Sequence, residues 1–149
     1  MLSFKEFIVI LEAYNANYDK ERDQFFSKHL NVSRSKMPQV PAVNYKDFQS
    51  WLKSQGISFS IDSITPSFLH ASQENIHYNK IETIINDTGT TKNTNPVLVS
   101  SDMFVLDGHH RVLAHRIMNK KIKIMKIDLS IKQLLSKMKE YPKVKFHNK

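Results

Sequence analysis

The stretch that most limits how this chain can fold is "VLVSSDMFVLDGHHRVLAHRI", residues 97–117. Two short apolar runs, Val97 to Ser100 and Met103 to Leu106, stand either side of Ser101-Asp102. Apolar runs of that length divided by a turn pair predict an antiparallel hairpin. The second run ends in Asp107-Gly108, and an apolar period of helical spacing starts at once with Val112, Leu113 and Ile117. A strand therefore gives way to a helix almost without a loop, with the helix predicted over residues 111–119. The chain has only three glycines, so Gly108 at this junction carries information. It lets the backbone turn sharply and lets a ligand approach closely.

A strand-to-helix junction presents unpaired backbone amides and the positive end of the helix dipole, which together attract an anion. Arg111 can grip a phosphate through two parallel hydrogen bonds. His109 and His110 add donors that carry charge near neutral pH. The residues alone predict a phosphate-binding turn. Asp107, His109, His110 and His115 are also metal-ligand types, but the three histidines do not share one helical face, so their spacing is not a zinc motif. His29, His70, His77 and His147 are scattered and form no constellation.

Upstream, Ser3-Phe4-Lys5-Glu6 reads as a capping box opening a helix with Phe4, Phe7, Ile8 and Leu11 on one face. A second helix is predicted from Asp19, burying Phe25, Phe26 and Leu30. Pro38 and Pro41 predict an extended connector. A third helix starts at Asn44, carries Phe48, Trp51 and Leu52, and stops at Gly56. The period then changes: Ile57, Phe59 and Ile61 alternate with Ser58, Ser60 and Asp62, as in a strand. Pro66 to Gln73 reads as a loop or short extended piece, Ile81, Ile84 and Ile85 as a helix, and "NDTGTTKNTN" as a polar loop. Downstream come a strand, Ile122 to Ile127, and a helix bearing Ile131, Leu134, Leu135 and Met138. The expected organisation is a helical N-terminal extension (1–56), a small α+β domain (57–140) and a basic tail (141–149).

Composition narrows the chemistry. With no cysteine, thiolate catalysis, disulfides and cysteine-held metal clusters are excluded, as suits a cytoplasmic protein. The early apolar run, Phe7 to Leu11, is too short to span a membrane and lacks signal-peptide anatomy. The net charge of +8 lies wholly in residues 120–149, where ten lysines face Asp128 and Glu140. A basic segment of that kind suits either a solvated helix face or contact with a nucleic-acid backbone.

"PVLVSSDMFVLDGHHRVLAHRIMNKKIKIMKIDLS" resembles the core of the ParB/sulfiredoxin-like superfamily: a hairpin, an Asp-Gly-His-x-Arg-type turn, a helix and a closing strand. The upstream "ITPSFLHASQENIHYNKIETII" resembles that family's P-x-x-L-x-x-S-Q segment and following helix, and the likeness covers roughly residues 57–136. The N-terminal "SRSKMPQV" resembles bacteriophage-encoded members, whose setting would be the host cytoplasm. Sulfiredoxins carry Gly-Gly-Cys-His-Arg at the turn; His109 stands at the cysteine position, so that activity is excluded. ParB partition proteins carry Gly-Glu-Arg-Arg and a helix-turn-helix DNA reader, and no such second domain is expected within these 149 residues. Free-serine kinases have a turn closer to Asp-Gly-His-His-Arg.

What the resemblance implies is binding of ATP or ADP with phosphoryl transfer or hydrolysis. Gly108, His109, His110 and Arg111 would hold the phosphates, and Ser72 and Gln73 would line the cleft. Asp107 would hold Mg²⁺ or orient a histidine, and His110 and Asp107 would assist catalysis. Glu74 is the candidate base toward a small-molecule phosphate acceptor, on its position alone. Two other readings stay open: a nucleic-acid-binding or nuclease-like protein using the same turn with the lysine-rich segment, and a non-catalytic phage interaction protein. The N-terminal helices are expected to pack on the domain or on a second subunit, giving an oligomer.

Overall fold

A computed structural model describes residues 3–28, 30–73 and 95–146; the side chains of 7–17 lie outside that description. Helix α1 (Phe4–Phe25) opens at Ser3, whose Oγ accepts the Glu6 amide at 3.1 Å. It runs unbroken for 22 residues, so the two helices expected from Phe4 and from Asp19 are one. No glycine or proline interrupts it, and Ala13 and Ala16 favour helix enough to carry it across Asn15 and Asn17. Leu30, expected on the second helix, lies beyond its end.

The proline connector holds a two-residue strand, β1 (Pro38–Gln39), between 3₁₀ turns at Arg34–Lys36 and Ala42–Asn44. Helix α2 (Tyr45–Ser54) buries Tyr45, Phe48 and Leu52. Strand β2 (Phe59–Ile64) starts later than the alternation suggests, because Ile57 donates its amide to the Leu52 carbonyl at 2.9 Å and so still belongs to the α2 terminus. A 3₁₀ turn at Pro66–Phe68 leads to β3 (His70–Ala71). The helix expected at Ile81, Ile84 and Ile85 and most of the polar loop after it lie outside the described residues.

Strands β4 (Val97–Ser100) and β5 (Phe104–Asp107) form the predicted hairpin. Met103, at φ +68°, ends the turn instead of opening the strand. Helix α3 (His109–Met118) begins before the predicted Arg111, directly after Gly108. Strand β6 (Ile122–Ile127) matches its prediction, and α4 (Ile131–Met138) opens on a Ser130–Gln133 capping box. Asp102 Oδ1 also accepts the Ile131 amide at 2.9 Å, tying the hairpin turn to α4. Strand β7 (Lys145–Phe146) pairs with β1.

The main sheet has the order β2-β6-β4-β5-β3 and mixes antiparallel (β2–β6, β4–β5) with parallel (β6–β4, β5–β3) neighbours. The fold is α+β. Every residue of β4 is buried, as a central strand covered on both faces requires. Alternate strand residues divide between two cores. Val97, Val99, Val105, Ile122 and Ile124 meet Phe25 of α1 and Val112, Leu113, Ala114 and Ile117 of α3. Leu98, Leu106, Met125 and Ile127 meet Phe48 and Leu52 of α2 and Ile131, Leu134 and Met138 of α4. Each buried side chain of this size contributes about 1.5–3 kcal/mol, so residues from the N-terminal 56 carry a substantial part of both cores. The C-terminal end is held too. Tyr141 is buried, and its hydroxyl donates to Asp47 Oδ2 at 2.7 Å, while Lys143 Nζ lies 3.0 Å from Asp47 Oδ1.

Strand directions bring four elements to one end of the sheet: the C-terminal ends of β3 and β5 and the N-terminal ends of β4 and β6. The Asp107-Gly108 junction lies there.

Candidate functional site

Gly108 is the N-cap of α3 with φ +105° and ψ +24°, a left-handed conformation that side chains resist. A Cβ added there would stand 3.0 Å from Val97 Cγ2, so the close approach of strand to turn also requires glycine. Gly108 has no side chain to cap α3, and the first-turn amides of a helix have no partner within it. The strand-to-helix junction that the sequence predicts thus stands at Gly108.

The two histidines that follow part company, as neighbours on a helix must. His109 points inward and is 3% exposed. Its Nε2 accepts the backbone amides of Ser72 at 3.1 Å and Gln73 at 3.2 Å. Accepting two amides places the ring proton on Nδ1 in the neutral form. Burial holds its pKa down at about 3, with His110 as a lesser cause. Ser72 Oγ stands 3.2 Å from Nε2 while its own hydrogen goes to the Val105 carbonyl. His109 therefore joins the end of β3 to the start of α3 as a neutral brace. Ser72 and Gln73, both buried, reach the turn through this ring. His110 and Arg111 are only half-buried.

Arg111 is held from the side. Its Nη1 donates to the Asn95 carbonyl at 2.7 Å, and its guanidinium hydrogen-bonds the Tyr45 hydroxyl, which itself donates to the Pro96 carbonyl. Burial, then the Asp107 carboxylate, push the Tyr45 pKa well above the usual phenol range. Asp107 Oδ2 accepts the Val40 amide at 3.1 Å. Burial raises the Asp107 pKa, opposed by that amide, by Arg111 and by the Gly108 amide. Val40 and Tyr45, from the proline connector and α2, are site residues that the sequence reading missed. No local pattern marks them; only a contact across more than sixty residues does.

Further along α3, His115 Nδ1 donates to the Arg111 carbonyl at 2.7 Å, and burial lowers the His115 pKa. Arg116 is buried under α1. It donates to Glu21 at 3.0 Å, to Gln24 at 3.1 Å and to the Pro66 carbonyl at 3.3 Å, with Phe25 beneath its guanidinium. Glu74, the candidate base, lies outside the described residues.

The turn thus brings Gly108 and Arg111 together, Arg111 Nη2 lying 3.5 Å from where a Gly108 Cβ would stand, with Asp107 and Tyr45 beside Arg111 and His109 turned inward. Among the described residues no cluster of three or more acidic or histidine side chains could hold a metal. Mg²⁺ is usually held by one or two carboxylates together with substrate phosphates. Among the described residues Asp107 is the carboxylate at the turn, and with Oδ2 already accepting the Val40 amide, an ion there would need substrate phosphates for most of its ligands. A shallow groove lined by Gln55, Ile57, Lys132, Gln133, Ser136 and Lys137 lies on the α4 side and includes no turn residue. Among the described residues no helix is long and apolar enough to cross a membrane.

No family model matches the chain, and no curated protein does. Among the solved structures similar to it are two ParB N-domains. One is the C2221 form of a Pnob8-like ParB-N domain, with TM-score 0.45 and 17% identity over 55% of this chain and 35% of that one. The other is a pNOB8-like ParB N-domain, with TM-score 0.45 and 18% identity over 55% of this chain and 32% of that one. The chain spans about a third of the length of these solved chains.

Proposed function

We propose that the protein binds the phosphates of a nucleotide, ATP or ADP, at the amino end of α3 and acts in phosphoryl transfer or nucleotide hydrolysis. The observation that carries this reading is Arg111: a guanidinium fixed by Asn95 and Tyr45 beside an uncapped helix terminus. Phosphoryl transfer needs chiefly positioning and charge neutralisation, and a pre-positioned guanidinium supplies both without reordering on binding. The Gly108 backbone and first-turn amides would receive phosphate oxygens, and His110 would add a donor from the half-exposed side. His109, Ser72 and Gln73 would act from behind, holding the turn in shape. Mg²⁺, brought with the nucleotide and held by Asp107, would supply neutralisation of phosphate charge. Glu74 is proposed as the base toward a small-molecule acceptor. A bacteriophage origin and a cytoplasmic setting belong to the same proposal.

A second reading, binding of a nucleic-acid backbone, rests on the exposed lysines. Lys120, Lys121 and Lys123 are exposed at the start of β6, whose Ile124 pairs with Val97, the strand neighbour of Gly108. Thermal-shift titration with ATP, ADP and a short DNA duplex, each with and without Mg²⁺, separates the two. A ligand at a hundredfold its dissociation constant stabilises by about 2.7 kcal/mol. A nucleotide-specific shift that disappears in Arg111→Ala supports the first reading. A salt-sensitive shift with DNA alone supports the second, and no shift with any ligand leaves the non-catalytic interaction protein.

A further inference from the structure

Strand β2 stands at one end of the sheet order, and among the described residues its outer edge pairs with nothing. Its pairing with β6 is continuous over six residues, Phe59↔Ile127 through Ile64↔Ile122, with no bulge. Ser60, Ile61, Asp62 and Ser63 are all exposed, Ile61 by 46%. Proteins usually protect such an edge with lysine, proline, a bulge or a covering element. Phe59–Ile64 contains neither lysine nor proline. A six-residue edge without a bulge and with one charged side chain, Asp62, is a template for another strand.

We propose that β2 is the interface of a two-fold dimer of this chain, formed by antiparallel pairing of β2 with β2 of a second copy in a register centred on Ile61. Residues opposite one another in an antiparallel pair share a face, so this register continues both helical layers across the interface. On the α2 and α4 face, Met125 and Ile61 of one copy meet Ile61 and Met125 of the other in one apolar row. Phe59, beside Ile127, meets the partner's Ser63, beside Lys123. On the α1 and α3 face, exposed Lys126 pairs with Ser60. Ser60 in turn stands opposite the partner's Asp62, which brings a cation and an anion into one row. The two-fold axis repeats that row in reverse. A register centred on Ser60 would bring the two lysine rows end to end, and one centred on Asp62 would oppose two carboxylates. Of these three registers, the one centred on Ile61 alone keeps like charges out of a shared row, and it pairs the strand with itself as a closed two-fold interface requires.

The chain has no cysteine, so Ile61→Cys introduces a single thiol. Under mild oxidation it should give a covalent dimer, while Ser60→Cys, opposite Asp62, should not. Sedimentation of the wild type should give twice the chain mass. Asp62→Lys alone and Lys126→Asp alone should each be monomeric, because each places like charges in one row. Mixed together, they should restore the dimer. The proposal is overturned if the wild type stays monomeric at every concentration, if Ser60→Cys cross-links as readily as Ile61→Cys, or if the mixed variants stay apart. Should either charge variant fail to show folded circular dichroism, the two cysteine variants decide alone.

Discussion

Helix α3 carries two arginines on consecutive turns, and they do different work. Arg116 is buried, donates to Glu21, Gln24 and Pro66, and lies over Phe25. Arg111 is half-buried and is steadied by one carbonyl and one hydroxyl at the edge of the turn. The first spends its donors within the protein and fastens α1 to α3. The second is positioned by few contacts beside an uncapped helix end. Residue type does not separate the two roles; the partners do.

The largest effect expected from breaking this comparison falls on Arg116. Arg116→Ala strips Glu21 of its partner and opens the contact with α1, and should cost about 3 kcal/mol, as removal of one member of a buried pair does. Urea denaturation measures it; a loss below about 1 kcal/mol would mean that α1 is held by its apolar face alone. Gly108→Ala comes next. Its left-handed backbone and the 3.0 Å approach to Val97 predict a cost of about 2 kcal/mol, together with loss of ligand response. An alanine variant as stable as wild type would show that the turn can rearrange.

The third test contrasts the two histidines. His109 is held neutral in the folded state with a pKa of about 3, so the unfolded chain takes up the proton first. Its contribution is full above about pH 6.5 and declines as pH falls from there toward 3. His70 and His115 act in the same direction and Asp107 in the opposite one. Comparison with His109→Gln isolates the residue. Across that window the stability difference should move in favour of the variant by about 1.4 kcal/mol per pH unit. Parallel curves would mean that the ring is not held neutral. The smallest stability change belongs to Arg111→Ala, about 1 kcal/mol for the lost hydrogen bonds, despite the largest expected change in ligand binding.

Where one period is repeated locally, the sequence is enough to place an element. The hairpin of β4 and β5, strand β6 and the Ser130–Gln133 cap of α4 depend on neighbours within a few residues. The strand-to-helix junction was legible for the same reason, since Gly108 and the restarting apolar period mark it, although the helix begins at His109, two residues before the predicted start. The division of labour within the turn was not. His109 and His110 are the same residue type in adjacent positions, and only Ser72 and Gln73, far upstream, turn one of them inward. The contacts of Val40 with Asp107 and of Tyr45 with Arg111 likewise follow from where α2 docks. Long-range packing has no local signature, and α1 shows another limit: the second helix expected from Asp19 is the continuation of the first.

On the proposed reading Arg111, and not its neighbour a turn and a half away, recognises phosphate. Calorimetric titration of ATP into wild type, Arg111→Ala and Arg116→Lys tests it most directly. Arg111→Ala should lose at least tenfold in affinity, about 1.4 kcal/mol, while the folded fraction of Arg116→Lys should bind nearly as well as wild type. Equal affinity in wild type and Arg111→Ala would contradict it.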